Sequence, residues 1–159
     1  IIINGTLLRA GIPMDSRFGG LLQVRNRKPL RFVELIQYSG SSLDPSEIFL
    51  RSRMTNVLEA TQKGEGKILA NFREIPALCR PLAEQVISGL KEARLGGLLM
   101  MGETSQPVCE IPVGLNKIGV ILVGGLTPVA PAIEAGIEVD NTAMSGVVDY
   151  QDLVSFSYL

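Results

Sequence analysis

The sequence predicts an α/β fold with α+β character, a mixed β-sheet with helices packed on it, and three observations carry that prediction. Short apolar runs alternate along the 159 residues with amphipathic stretches of helical period. Gly and Pro stand at most junctions between them. Hydrophobic residues make up 46% of the chain, yet no apolar run is long enough to cross a bilayer, so that apolar surface has a core to fill. A single domain over 1–159 is expected.

Taken in order, Ile1 to Ile3 reads as a strand and Thr6 to Ala10 as a short helix ending at Gly11. Gly20 to Val24 is a strand closed by the polar turn Arg25-Asn26-Arg27-Lys28-Pro29, and Arg31 to Tyr38 alternates in β-branched and aromatic residues, which is strand chemistry. Pro45 to Lys63 is expected as one helix, because Ile48, Leu50, Met54, Val57, Leu58 and Thr61 recur at intervals of no more than four residues before Gly64 stops the run. Lys67 to Ile75 is again a strand. Pro76 to Arg94 is an amphipathic helix with Leu78, Leu82, Val86, Ile87 and Leu90 on one side and Gly96 beyond its end. Leu98 to Met101 and Val120 to Val123 read as buried strands, and after Gly124-Gly125-Leu126 a short helix runs to Ala135, capped by Thr127 and begun by Pro128.

The words Ala10-Gly11-Ile12 and Ala135-Gly136-Ile137 open two similar stretches, each continuing through an apolar residue, an Asp and a small polar residue. Gly20-Leu21-Leu22 and Gly146-Val147-Val148 follow them. A duplicated half-motif about a pseudo-twofold axis would set Asp15 and Asp140 at matching places. A recurrent helix C-cap followed by a strand explains the same words.

Composition excludes several functions. The chain has no His, which removes the commonest general base and the commonest metal ligand. Cys79 and Cys109 stand alone without a CxxC, so neither a disulfide framework nor a metal site is expected. With 15 basic against 16 acidic residues and no Trp, nothing resembles a surface that grips nucleic acid. No signal peptide is visible, so a cytoplasmic location is expected, and a chain opening on Ile rather than Met reads as a piece of a longer protein.

Candidate chemistry concentrates in loops. Tyr38 to Glu47 is a Gly/Ser loop leading into a helix start, with Asp44 as N-cap, Pro45 at the first helical position and Glu47 placed to bond back to the cap. Ser39, Gly40, Ser41 and Ser42 then offer backbone N–H groups and hydroxyls to a carboxylate or phosphate. Gly124, Gly125 and Thr127 make a second anion-ready helix start, and Arg17 in its small-residue loop suits a bidentate carboxylate grip. A capped helix after a turn and a solvated Arg are the bland alternatives. Arg73 and Glu74 are expected to pair with each other. The acid pairs Asp15 with Asp140, or Glu74 near Glu103, have no nucleophile or oxyanion hole at matching spacing. Lys63-Gly64-Glu65-Gly66-Lys67 follows a helix and precedes a strand, the reverse of P-loop order, and reads as a turn.

Several multi-residue runs resemble one known family. They are Asn4-Gly5-Thr6-Leu7-Leu8 with Ala10-Gly11-Ile12-Pro13, Asp15-Ser16-Arg17-Phe18-Gly19-Gly20, and Tyr38-Ser39-Gly40-Ser41-Ser42-Leu43-Asp44-Pro45. Gly66-Lys67-Ile68-Leu69-Ala70, Phe72-Arg73-Glu74-Ile75-Pro76 and Val123-Gly124-Gly125-Leu126 complete the set. Together they resemble the regulatory domain of the archaeal nitrogen-regulation repressors, NrpR. The resemblance implies an effector-sensing and oligomerisation domain that binds 2-oxoglutarate and so relieves repression. It implies a homo-oligomer, dimeric in the simplest case, with no bound cofactor, that reaches DNA only through a winged-helix domain absent from this chain. No ligand residues transfer with it, so the candidate site rests on the loops above. Two further readings stay open: a purely structural assembly module of a transcription regulator, and an enzyme acting on a small anionic metabolite with Asp15 or Asp140.

Overall fold

A computed structural model of the chain describes residues 2–141 and 146–154. Ile1 lies outside the described residues, and Ile2 and Ile3 belong to a helix, α1 (Ile2–Arg9), rather than to the expected strand. Ile3 and Leu7 lie four residues apart, so they share one helical face, and both are buried against the core. β1 (Asp15–Arg25) and β2 (Lys28–Gln37) then form an antiparallel hairpin. Asn26 and Arg27 both take positive φ, 51° and 62°, the geometry of a two-residue turn that follows strand twist.

The expected long helix is two, α2 (Pro45–Arg51) and α3 (Val57–Lys63). Arg53 enters the left-handed region at φ 52°, while its N–H and that of Met54 bond back to the carbonyls of Leu50 and Phe49. That is a Schellman ending without glycine. The chain then runs to the sheet, where Thr55 is buried and Asn56 N–H donates to the Lys67 carbonyl, so tertiary contacts override local helical preference. Asn56 gives α3 no side-chain cap. Glu134 does so from a distance, accepting from the N–H groups of Val57 at 2.7 Å and Leu58 at 3.0 Å. Glu47 does not bond back to the Asp44 backbone either, and pairs with Arg51 at 2.6 Å instead.

β3 (Gly66–Pro76) leads through a 3-10 turn, Ala77–Cys79, into α4 (Arg80–Glu92). The turn shifts the helical phase, so Leu78 is 96% exposed and Leu82 is exposed as well, while Ala83 and Ile87 make the buried contact. β4 (Leu98–Met101), β5 (Lys117–Val123), a 3-10 turn over Thr127–Val129 and α5 (Ala130–Glu134) complete the order, with a last 3-10 turn at Tyr150–Asp152. Thr127 does not cap the helix. Its hydroxyl donates to the Leu69 carbonyl at 3.2 Å and fastens the turn to β3.

The sheet order is β2-β1-β3-β5-β4, and every pairing is antiparallel, where a mixed sheet was expected. Helix-linked β3 and β4 do run parallel to each other, but β5 inserts between them, so the crossover produces no parallel pair. The α/β class with helices on a sheet stands.

All of α1 to α5 pack on one face of the sheet, as the β3 side chains show. Odd-numbered Leu69 and Ile75 face the helices, while even-numbered Ala70 and Phe72 face the segment between β4 and β5. Two separate clusters build the helix side: Ile75 with α1 and α4, and Leu69 with α2, α3 and α5. Gly19 on β1 lets α2 settle closely, since a Cβ there would stand 2.9 Å from the Pro45 Cβ.

The repeated Ala-Gly-Ile words are one helix C-cap used twice. Gly11 and Gly136 take φ 84° and 81°, and matching backbone bonds run from Ile12 to Leu7 and from Ile137 to Ala132. Beyond the cap the copies part. Asp15 begins β1, whereas Ile137 to Asn141 and Gly146 to Val148 form no strand.

Candidate functional site

On β3, Asn71 and Arg73 alternate with the buried residues and therefore point to the helix side, between the Leu69 and Ile75 clusters. The two helix groups leave a seam above them, a cleft of about 610 Å³, within the usual range for small-molecule sites. Ser41, Ser42 and Asp44 wall one side, Gly125 and Leu126 another, and Asn4 of α1 reaches in from the opposite helix group.

Arg73 dominates the electrostatics. Its Nη1 donates to the Ser16 hydroxyl, and its guanidinium carbon lies 6.0 Å from the centre of the Tyr38 ring. Nε is buried and has no hydrogen-bond partner among the described residues. Burial lowers the Arg73 pKa and the Tyr38 hydroxyl partly offsets this, yet guanidinium stays charged in proteins. Tyr38, whose hydroxyl donates to Asn71 Oδ1, is raised by burial, against the opposing effect of Arg73. The cleft thus holds a half-desolvated cation with one donor facing no acceptor. The Arg73 charge makes the floor of the cleft suited to an anion.

The backbone groups expected to hold an anion are mostly engaged. Ser39 and Gly40 form the tip of a turn closed by Ser41 N–H on the Tyr38 carbonyl, with Gly40 at φ 83°. Neither lines the cleft, but the Ser41 and Ser42 side of the loop does. Gly124 N–H donates to the Leu69 carbonyl and Thr127 N–H to the Gly124 carbonyl, so of the expected residues Gly124, Gly125 and Thr127 only Gly125 reaches the cleft. α2 has seven residues, which leaves little macrodipole to add, and the Asp44 carboxylate already accepts from Ser46 N–H at 2.8 Å. Ser41, Ser42 and Gly125 therefore meet in one place, while Arg17, Ser39, Gly40, Gly124 and Thr127 lie outside it.

Arg17 does grip a carboxylate, but an internal one. Its Nη1 lies 2.7 Å from Oε1 of Glu74, a residue 1% exposed on the sheet face opposite the cleft. Lys117 approaches Glu74 at 3.0 Å and Asp15 at 3.2 Å, and Gly114 N–H donates to Glu74 at 3.0 Å. Arg73 and Glu74 cannot pair, because consecutive strand residues face opposite ways. Burial pushes the Glu74 pKa up, but bonds from Lys117 and Gly114 and the charge of Arg17 outweigh it and hold the pKa low. A lowered carboxylate pKa gives stability that is complete above about pH 4.3, the unfolded value, and drains as pH falls through the lower folded pKa. Glu74→Gln is expected to destabilise the fold by about 1–3 kcal/mol at pH 7, moderated because both cations are partly solvated. The gap between variant and parent should narrow below pH 4, which urea unfolding at several pH values measures.

Glu103 pairs with Arg80 at 3.3 Å, so it joins no acid pair with Glu74. Asp140 lines a separate cleft with Glu47 and Arg51, while Asp15 pairs with Lys117. No helix among the described residues is long and apolar enough to cross a membrane.

The profile of a family described as NrpR regulatory domains NRD1 and 2 matches residues 1–155. The chain is similar to the global nitrogen regulator NrpRI of Methanosarcina mazei, 39% identical over 96% of this chain and 47% of the relative. It is similar also to the global nitrogen regulator NrpR of Methanocaldococcus jannaschii, 33% identical over 98% of this chain and 26% of that protein. A crystal structure of a nitrogen repressor-like protein from Methanococcus jannaschii superposes with TM-score 0.73 at 32% identity, covering 89% of this chain and 59% of that one. The chain thus spans less than half the length of these regulators. The relatives' names are those of regulators, not enzymes, and the enzymatic reading falls away.

Proposed function

Since the chain belongs to the NrpR regulatory-domain family, we propose that it is the effector-sensing unit of an archaeal repressor of nitrogen assimilation, binding 2-oxoglutarate in the cleft above β3. The single observation that carries this reading is Arg73, a half-buried cation that lines the cleft beside the Ser41 and Ser42 loop. One carboxylate of a diacid would pair with the part of the guanidinium that lines the cleft. The diacid's remaining oxygens suit the Ser42 hydroxyl and the Gly125 N–H, while the Ser41 hydroxyl is engaged with the Leu43 backbone.

The seam explains how binding would be felt elsewhere. The Ser41 loop and Gly125 belong to the helix group of α2, α3 and α5, while Asn4 belongs to the group of α1 and α4. A ligand touching both groups favours the arrangement in which they are close, and it changes repression only by its preference for that arrangement. A coupling of about 1–3 kcal/mol would alter operator affinity roughly 5- to 150-fold. DNA would be reached through another domain of the longer protein, in the cytoplasm, with no bound cofactor.

A second reading, assembly, is favoured by β2, an edge strand carrying the exposed Leu30 and Leu35. Self-association through that strand is compatible with effector sensing, and in its pure form it predicts an oligomer indifferent to ligand. Calorimetric titration with 2-oxoglutarate, succinate, glutamate and phosphate separates the two. Saturable binding that is tightest for 2-oxoglutarate is the expected result, and sedimentation showing an oligomer that binds none of them would favour assembly alone.

A further inference from the structure

β2 is one edge of the sheet, and its outward side is self-complementary. Tyr38 N–H donates to the Arg17 carbonyl, and along an antiparallel ladder bonded pairs alternate with pairs that share no bond. Gln37, Leu35 and Phe32, which stand opposite Phe18, Gly20 and Leu22, hold the places without bonds and turn their N–H and C=O groups away from β1. The ladder skips Val33 and Leu30, which are bulged. Without the bulge at Val33, Arg31 and Glu34 would face opposite ways, being three residues apart. With it they stand opposite Gln23 and Leu21 on the helix side of the sheet, one ladder place either side of Phe32, and both are exposed.

We propose that β2 pairs antiparallel with β2 of a second copy of this chain, on a twofold axis at Phe32. The proposal rests on the assembly reading above and gives it a partner and a register. Phe32 exchanges both backbone bonds with the partner's Phe32. Pro29 and Leu35 each lie two ladder places from Phe32, so Leu35 N–H reaches the partner's Pro29 carbonyl, and the N–H that Pro29 lacks is one an edge strand can forgo. Arg31 lies opposite the partner's Glu34, and Glu34 opposite the partner's Arg31, so the twofold interface carries the ion pair twice. On the other face the exposed Leu35 meets the partner's Pro29. Charges and bulges ordinarily keep an edge strand from pairing. Here they select one register, since an axis at Leu35 would set Glu34 against the partner's Ile36 and Arg31 against its Tyr38.

Sedimentation equilibrium of the chain, of Arg31→Glu, of Glu34→Arg and of the two substitutions together tests this. The parent should be a dimer in concentration-dependent exchange with monomer. Each single substitution sets like charges opposite one another at both places and should weaken the dimer about 10-fold or more, whereas the double exchange restores opposite charges and should bring it to within about threefold of the parent. Thermal unfolding should find every variant folded, because both side chains are exposed. A dimer that neither single substitution weakens, or that the double exchange fails to restore, overturns the register while assembly stands. A parent that is monomeric at every concentration overturns both and leaves the edge to another strand of the longer regulator.

Discussion

Arg73→Ala is expected to weaken 2-oxoglutarate binding about 10- to 150-fold while leaving the fold nearly as stable as before. The magnitude follows from charge-assisted hydrogen bonds of about 1.5–3 kcal/mol, which the alanine variant cannot make. The small stability cost follows from position. Arg73 lies in the seam between two hydrophobic clusters rather than within either, and one of its donors has no partner among the described residues. Its loss removes the bond to Ser16 and the approach to the Tyr38 ring, together about 1 kcal/mol or less. Arg73→Lys should recover part of the affinity, since a point charge attracts a carboxylate but lacks the planar fork. Arg17→Ala is the control, because Arg17 holds Glu74 on the other sheet face and should leave affinity within about twofold. Equal losses from Arg17→Ala and Arg73→Ala would show that the fold, not the cleft, had been disturbed.

Phe72→Ala should be the reverse, severe for the fold and without selective effect on the ligand preference. Phe72 is fully buried, stacks on Phe18 at 5.0 Å between centroids and meets Phe32 edge-on at 6.3 Å. The three rings are the centre of the cluster under the segment joining β4 to β5, with Val108 beside them. Removing the ring costs about 3–5 kcal/mol in transfer and cavity terms, a shift of roughly 6–20 °C in Tm for a chain of this size. Phe72→Leu should cost under half as much. Thermal unfolding measures both, and a loss below about 1 kcal/mol for the alanine variant would mean that this face is not packed as described.

These neighbours, Phe72 and Arg73, also mark how far the sequence could be read. Strands at Gly20–Val24, Arg31–Tyr38 and Lys67–Ile75 were legible as short apolar runs, with alternating β-branched and aromatic residues at Arg31–Tyr38, and Asp44-Pro45 announced a helix start that the structure contains. Ile1–Ile3 misled because three β-branched residues suit a strand, while the i, i+4 pair Ile3 and Leu7 carried the helical signal. The break at Arg53 had no Gly or Pro to announce it, and it depends on Asn56 reaching β3.

The cleft was half legible. Ser41, Ser42 and Gly125 came from local loop chemistry, but their cation was sought at Arg17, which reads as a loop residue in the sequence and lies in β1, paired with Glu74. The better signal lay in β3 itself. In Leu69-Ala70-Asn71-Phe72-Arg73-Glu74-Ile75 the odd positions run apolar, polar, polar, apolar, and polar residues on the helix-facing side of a central strand mark a gap in the packing. The same period forbids the Arg73–Glu74 pair. Asn4 had no such signal, since its approach to the cleft depends on how α1 crosses the sheet.

Amide hydrogen exchange of the chain with and without 2-oxoglutarate tests the central claim most directly, because it reports where the ligand acts. Slower exchange is expected at residues 38–46, 71–73 and 124–126 and along α1, with β2 and the segment between β4 and β5 unchanged. Protection confined to the cleft that Asp140 shares with Glu47 and Arg51, or to the Leu30 and Leu35 edge, would contradict the account and move the effector site away from Arg73.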